Sequence, residues 1–283
     1  MKCIDSRIAK WHERTKNAAP GNASQYNVGR LTFPDHFSDR ASGYARSRPT
    51  YPEGLVGYLA ASAPRTTLAY EVGCGSGQLT RLLATCFENV IATDPSAAQL
   101  AHAPPIARVW YHCATAEACA LRDGVVDLMV AAQAAHWFDV GRFYAEARRI
   151  SAPNGVIALI SYGVTTVSPE IDAVIRHFHT RVLEHYWPPE RRHVDAGYTT
   201  LPFPFEPLDP PALEMSCVWT LADMLAYVDT WSAVRALETA EGRARTEAFR
   251  RELTDVWLEP DTPRTVRWPL AIKAGRVGRA AHD

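Results

Sequence analysis

The chain lacks any run of apolar residues approaching the ~20 that a membrane-spanning helix needs, so no membrane is expected among its partners. Its opening residues, MKCIDSRIAKWHERTK, contain bases but no apolar core, which argues against a secretory signal. Charge of one sign is also missing. The formal net charge is -1, and the arginine pairs Arg191-Arg192 and Arg250-Arg251 are short and flanked by acids, so nothing favours nucleic acid. Six cysteines (Cys3, Cys74, Cys86, Cys113, Cys119 and Cys217) form no C-x-x-C pair and have no histidine at zinc-finger spacing. That pattern implies reduced, mostly buried thiols, a cytoplasmic location and no metal, with Cys113 and Cys119 left as a minor redox or soft-metal alternative. There is no internal repeat.

What is present is an ordinary globular composition, 47% apolar and 22% charged over 283 residues, enough for one large domain or a domain with a cap. Residues 1–35 show no period and read as an N-terminal extension, a flexible arm with Trp11 and Tyr26 as anchors. Ser38 or Asp39 caps a short expected helix to Tyr44, and Tyr51-Pro52 opens another to about Ser62. Short apolar strands then alternate with amphipathic helices. The strands are Leu68 to Tyr70, Asn89 to Asp94, Arg108 to His112, Val125 to Ala131 and Val156 to Ser161. The helices are expected from about Gln78 to Phe87, after Pro95-Ser96 with Ala97, Leu100 and Ala101 inward, and from an Asp139 cap to Ile150, with a turn at Pro153-Asn154-Gly155. Such alternation predicts βαβ crossovers and a parallel sheet covered on both faces. Beyond it, Ser168 to Tyr186 reads as one long helix, and residues 187–211 as a Pro- and aromatic-rich functional cover. Strand-like pieces at Leu213 to Thr220 and Val266 to Ala274 bracket further helices. The expected organisation is an extension (1–35), an α/β core (36–163), an inserted cap (164–211) and a C-terminal part completing the sheet (212–283).

The most informative stretch is residues 68–80, LAYEVGCGSGQLT. A strand ends, Gly73, Gly75 and Gly77 remove the Cβ atoms from one side of the turn, and a helix begins. A dinucleotide fingerprint wants a third glycine where this chain has Gln78. Glu71 would repel a pyrophosphate but suits a ligand bearing an ammonium and a sulfonium. Asp94, ending the second strand, can accept from both hydroxyls of a ribose. These features favour S-adenosylmethionine over NAD.

EVGCGSGQ, followed by VIATDPS, AEA and VDLMVAAQAAHWF, resembles the class I S-adenosylmethionine-dependent methyltransferases. Within them, YARSRPTYP, AQAAHWFD and VRWPLAIKAGRV are similar to the small-molecule group that includes trans-aconitate methyltransferase-like enzymes. The resemblance covers about residues 37–277 and departs at 1–35, and at Pro153-Asn154-Gly155 where the family commonly has Pro-Gly-Gly. It implies an α/β, Rossmann-like, seven-stranded, mostly parallel sheet with helices on both faces. It also implies that Glu71, Gly73, Gly75, Gly77 and Gln78 line the methionine end of the cofactor. Asp94, Pro95, Ser96 and Gln99 would then lie at the ribose, Ala116 and Glu117 at the adenine, and Ala132 and Gln133 after the fourth strand. Tyr44 and Arg48 would fold over the site, Arg48 pairing with the cofactor carboxylate.

Methyl transfer is an in-line displacement, so alignment and exclusion of water dominate. His136, Trp137 and Phe138 sit where reacting atoms would lie. His136 and Tyr44 are the candidate catalytic residues, with His136 either a base or a residue that orients its loop. Trp137 and Phe138, with Trp187, Arg191 and Arg192 in the cover and Trp231, are the substrate candidates, suiting a small, anionic, partly apolar molecule. The expected reaction is O-methylation of a carboxylate, with S-adenosyl-L-homocysteine as co-product. N-, S- or C-methylation, a non-catalytic S-adenosylmethionine-binding protein, and a nicotinamide dehydrogenase are the rival readings. A monomer or homodimer is expected.

Overall fold

The computed structural model describes residues 49–278. Tyr44, Arg48, the helix ending at Tyr44, the anchors Trp11 and Tyr26, and the extension itself lie outside the described residues. Helix α1 (Glu53–Ser62) begins directly after Pro52, whose extended backbone closes the segment before it and whose missing N–H costs nothing there. Five parallel strands follow: β1 (Leu68–Val72), β2 (Asn89–Asp94), β3 (Val109–Cys113), β4 (Val126–Ala132) and β5 (Ser151–Tyr162). They are joined by α2 (Thr80–Cys86), α3 (Ala97–Leu100) and α4 (Val140–Ile150), the last capped by Asp139, which accepts from the Arg142 amide at 3.2 Å.

The last strand, β8 (Arg264–Arg276), lies antiparallel on β5. Away from β5 it carries β6 (Glu206–Pro207) and β7 (Glu214–Trp219), both antiparallel to it. These two pieces are one strand interrupted. Pro207, Pro210 and Pro211 supply no donors, while Leu208 N–H to Ala274 O and Leu270 N–H to Leu213 O, each 2.8 Å, keep the segment against β8. The strand order β3-β2-β1-β4-β5-β8-β6 makes this a doubly wound, mostly parallel sheet with the seven-stranded layout that the sequence pattern implies.

Alternation along the strands sends Ala69, Val130, Ala158 and Ile160 to one apolar core and Tyr70, Met129, Ile157 and Leu159 to the other. The first core is closed by α1, α2, α5 (Pro169–His177) and the terminal helices α7 (Leu221–Asp229), α8 (Ser232–Glu241) and α9 (Ala244–Trp257). The second is closed by α4 and by Val194, Tyr198, Leu201 and Phe205. The buried Asp127 carboxylate pins the start of β1, accepting from the Thr67 and Leu68 amides at 3.1 Å and pairing with Arg65 at 3.0 Å.

Four sequence expectations need correction. The helix expected from Ser168 to Tyr186 is broken after His177 by a π-helical turn (Phe178–Val182) and a 3-10 turn (Glu184–Tyr186), because Phe178 stacks on Phe249 at 4.0 Å and the chain must swing to reach Trp187. The helix after the glycine turn starts at Thr80, leaving Gln78 in the turn. Helix α3 has only four residues, and Ala97 and Ala101 are exposed while Gln99 turns inward. Pro153-Asn154-Gly155 is not a free turn but an irregularity inside β5, with Asn154 at φ 61° and a register shift against β4.

Candidate active site at the carboxyl edge of the sheet

The glycine turn runs from the end of β1 to α2, with Gly73, Gly75 and Gly77 all in the left-handed region at φ 68°, 55° and 81°. Space is as restrictive as conformation. A Cβ on Gly73 would lie 2.5 Å from the Ala134 Cβ, and one on Gly77 2.8 Å from the Tyr111 hydroxyl. Asp94 braces the turn: Oδ2 accepts from the Gly75 amide and Oδ1 from the Ser96 amide, both at 2.8 Å. A carboxylate at the end of β2 is an acceptor of the kind that ligand hydroxyls seek. Ser96 caps α3 through the Gln99 amide at 3.3 Å, and the buried Gln99 side chain reaches towards Gly75. Pro95 and Gln78 are half-buried at the rim.

Beyond β3, Ala116 is buried and Glu117 accepts from the Asp139 amide at 3.0 Å. Ala132 ends β4, and Gln133 follows at φ 53°, donating its amide to Ile160 O and its side chain to Tyr162 O, both at 2.8 Å. The sheet therefore gathers Glu71, the glycine turn, Asp94, Gln99, Ala132 and Gln133 along one edge. In an open parallel sheet that edge is where ligands bind.

Glu71 is the electrostatic anomaly of this edge. It is buried on β1 and receives the Thr80 hydroxyl at 2.5 Å. Burial pushes its carboxyl up to about 8, against the lowering effect of Thr80 and with a further push from the Asp94 charge. No cation among the described residues offsets it.

After β4 a 3-10 turn (Ala135–Trp137) carries His136, whose Nδ1 lies 2.9 Å from the Tyr198 hydroxyl. Burial pulls His136 down to about 3, helped by the charges of Arg191 and His193. Phe138 packs on Phe143 at 4.9 Å and lies beside Gly73, and the Trp137 ring lies tilted against His136 at 4.9 Å. The short helix α6 (Arg191–Asp195) rests on this turn. Arg191 lies over the Trp187 ring at 4.7 Å and pairs with Asp195 at 2.9 Å. Arg192 is exposed and stands outside this group. Trp231 is buried, edge-on to Tyr227 and 5.8 Å from Trp187.

Comparison with known proteins points one way. Residues 70–159 match the methyltransferase domain family. A Dictyostelium discoideum protein assigned as a methyltransferase is 33% identical over 208 residues, 72% of this chain and 79% of that one. The chain belongs to the class I S-adenosylmethionine-dependent methyltransferases. A solved structure assigned as a type II methyltransferase, from Anaeromyxobacter dehalogenans, is 44% identical with a TM-score of 0.78, covering 82% of this chain and 99% of that one. A Saccharomyces cerevisiae protein assigned as an S-adenosylmethionine-dependent methyltransferase is 27% identical over 129 residues, 42% of this chain and 44% of that one. The chain spans about half the length of the mycobacterial relatives it matches.

The residues of this methyltransferase fit that cofactor. S-adenosylmethionine supplies a methyl group made electrophilic by a sulfonium charge. A turn stripped of Cβ atoms accepts a ligand against bare backbone, and a desolvated carboxyl with no cation beside it among the described residues, Glu71, matches a cationic ligand. Two members of the region escaped the sequence reading. Tyr198 is 62 positions from His136, so only the fold reveals their pairing. His179 lies buried in the π-helical turn between Trp187 (4.7 Å) and Trp231 (5.5 Å), and neither ring nitrogen is hydrogen-bonded to a described residue. Its one available sequence signal was its place in a His- and Arg-rich segment just before Trp187.

Proposed function

We propose that this methyltransferase methylates a carboxylate oxygen of a small anionic molecule, as a member of the trans-aconitate methyltransferase-like group that its motifs resemble. Arg191 carries the reading. Its side chain is one-fifth exposed, with the guanidinium over the Trp187 ring and close enough to depress the imidazoles of both His136 and His179. A planar, partly desolvated guanidinium on an aromatic face is suited to a carboxylate, and Asp195 holds it in place. Residues 164–211 act as the cover that excludes water, and Trp137, Phe138 and Trp187 line the apolar side. The carboxylate is already the nucleophile, so the protein has to align it rather than remove a proton.

The test is methyl transfer from isotopically labelled S-adenosylmethionine to a panel of mono-, di- and tricarboxylic acids, read by mass spectrometry. The expected product gains one methyl group and loses it again on mild alkaline hydrolysis, as an ester must. A base-stable methyl, or turnover confined to amines, thiols or carbon acids, refutes the proposal. Arg191→Ala should raise the acid's KM by roughly 10- to 100-fold, the scale of a hydrogen bond to a charged group, with cofactor affinity unchanged.

A further inference from the structure

The partner of His136 decides which of its ring nitrogens carries the proton. Tyr198 is completely buried, so its hydroxyl hydrogen needs a protein acceptor. Among the described residues the acceptor within reach is His136 Nδ1, at 2.9 Å. Were Nδ1 protonated it would donate to the tyrosine oxygen, and the buried hydroxyl hydrogen would be left without a partner, a costly arrangement. With the hydroxyl donating to Nδ1, the neutral ring carries its proton on Nε2. Among the described residues that nitrogen has no hydrogen-bond partner, and it is not sealed from its surroundings.

We propose that Tyr198 is a positioning residue that locks His136 in the Nε2–H tautomer, so that His136 serves as a hydrogen-bond donor to the substrate carboxylate and not as a base. The donor role rests on the carboxylate reading above; the tautomer does not. In the transfer itself the carbon–oxygen bond forms as the carbon–sulfur bond breaks with its electron pair leaving on sulfur, and no proton changes place. A neutral N–H donor fits that balance, because a base would have nothing to accept.

The backbone is built to hold the pair. Tyr198 sits at φ 60°, a left-handed conformation that is uncommon for a bulky residue, directly after Gly197 at φ 57°. Its amide donates to His193 O at 2.7 Å, and Lys273 donates to the Tyr198 and Leu201 carbonyls at 3.0 Å. A Cβ on Gly197 would come within 3.0 Å of the Ala271 Cβ, so α6 must end in this close turn against β8. Strain of this kind persists only where surrounding contacts over-determine it. Arg191 and His193, the charged and titratable groups that α6 turns towards His136, both disfavour a second proton on the ring.

The experiment is two-bond proton–nitrogen correlation on the full chain labelled with ¹⁵N-histidine, with His136 identified by its loss in His136→Gln. The expected spectrum shows Nε2 protonated and Nδ1 bare from about pH 5.5 to 8, before and after saturation with S-adenosyl-L-homocysteine. Tyr198→Phe should populate both tautomers and lower kcat on the carboxylic acid panel roughly tenfold, the factor that goes with one neutral hydrogen bond, leaving cofactor affinity unchanged. Protonated Nδ1 in the wild type, or a His136 that titrates in that range, overturns the proposal. If Tyr198→Phe does not fold, the wild-type spectrum alone decides. If no acid is methylated while Nε2 is the protonated nitrogen, the carboxylate reading fails and the positioning by Tyr198 stands.

Discussion

Replacing Glu71 with glutamine tests the electrostatic basis of cofactor binding most directly. Without a ligand the carboxyl is held up to about 8 by burial, so it is mostly protonated at neutral pH. A cationic ligand favours the ionised form, and binding must therefore expel a proton. A group that has to lose a proton in order to bind gives an apparent affinity that climbs with pH until the free group is itself ionised. Well below pH 8 the slope is about tenfold per pH unit, because ionising Glu71 costs about 1.4 kcal/mol at pH 7 and twice that at pH 6. The ligand's own amino group starts to lose its charge near pH 8, so the clean window is about pH 6 to 7.5. Across it the affinity for S-adenosylmethionine, measured without acid substrate, should rise roughly 20-fold. Calorimetry in two buffers of different ionisation enthalpy should show net proton release. Glu71→Gln should abolish both the slope and the released proton, and weaken binding at pH 7.5 by about 1.5–3 kcal/mol. The same slope in the variant, or no proton released by the wild type, would refute the reasoning. The ligand-free protein should behave oppositely, losing stability as pH rises from about 4.5 to 8, since over that range the folded state holds a proton that the unfolded chain has given up.

Asp94→Ala removes the acceptors of the Gly75 and Ser96 amides as well as a ligand acceptor, so cofactor affinity should fall by about 2–4 kcal/mol; Asp94→Asn keeps one oxygen and should lose less, both read by calorimetry. His179 is lowered to about 4, by burial first, with Arg191 adding to the fall and Asp195 opposing it. The unfolded chain therefore takes up the proton first, and stability should drain away as pH falls from about 6.5 towards 4; His179→Leu should flatten that dependence in urea titrations and be neutral or stabilising at pH 7, since it removes buried nitrogens without partners. Asp127→Ala should destabilise the fold by about 2–4 kcal/mol by leaving the Thr67 and Leu68 amides unpaired, measured as a drop in denaturation midpoint at unchanged cofactor affinity.

Local signals explain which parts were legible in the sequence. β1 to β5 are short apolar runs ending in chemistry-bearing residues, so both the parallel sheet and the positions of Glu71, Asp94 and His136 along one edge follow from patterning. Gln99 is placed near the ribose by the family resemblance alone, while helical spacing turns Ala97, Leu100 and Ala101 inward; α3 is so short that the polar Gln99 is the buried side chain turned towards the glycine turn. The helix expected from Ser168 to Tyr186 has good local propensity throughout. Its break at Phe178 comes from a stack with Phe249, 71 positions away, and no window of sequence contains both rings. Tyr198 is illegible for the same reason. Its meaning arises only when the turn after α6 is laid beside the turn after β4.

The distribution of charge along the site connects these residues. Asp94, and Glu71 once a cationic ligand ionises it, make one end of the sheet edge anionic, and Arg191 is a cation on the short helix that rests on the turn after β4. On the proposed reaction the reactants bring a positive charge to the first end and a negative charge to the second. Transfer of the methyl cancels one of each, leaving a thioether and an ester. The site is then complementary to the charges of the reactants and to neither of the groups that replace them. Charges of this kind hold the reactants more strongly than the products, so they serve substrate binding and product release rather than the transfer step itself. The consequence is measurable. The methylated acid should inhibit far more weakly than the acid binds, and the difference should shrink in Arg191→Ala, which removes the charge that tells them apart. Equal affinity of wild type for the acid and its ester would show that Arg191 does not read the carboxylate.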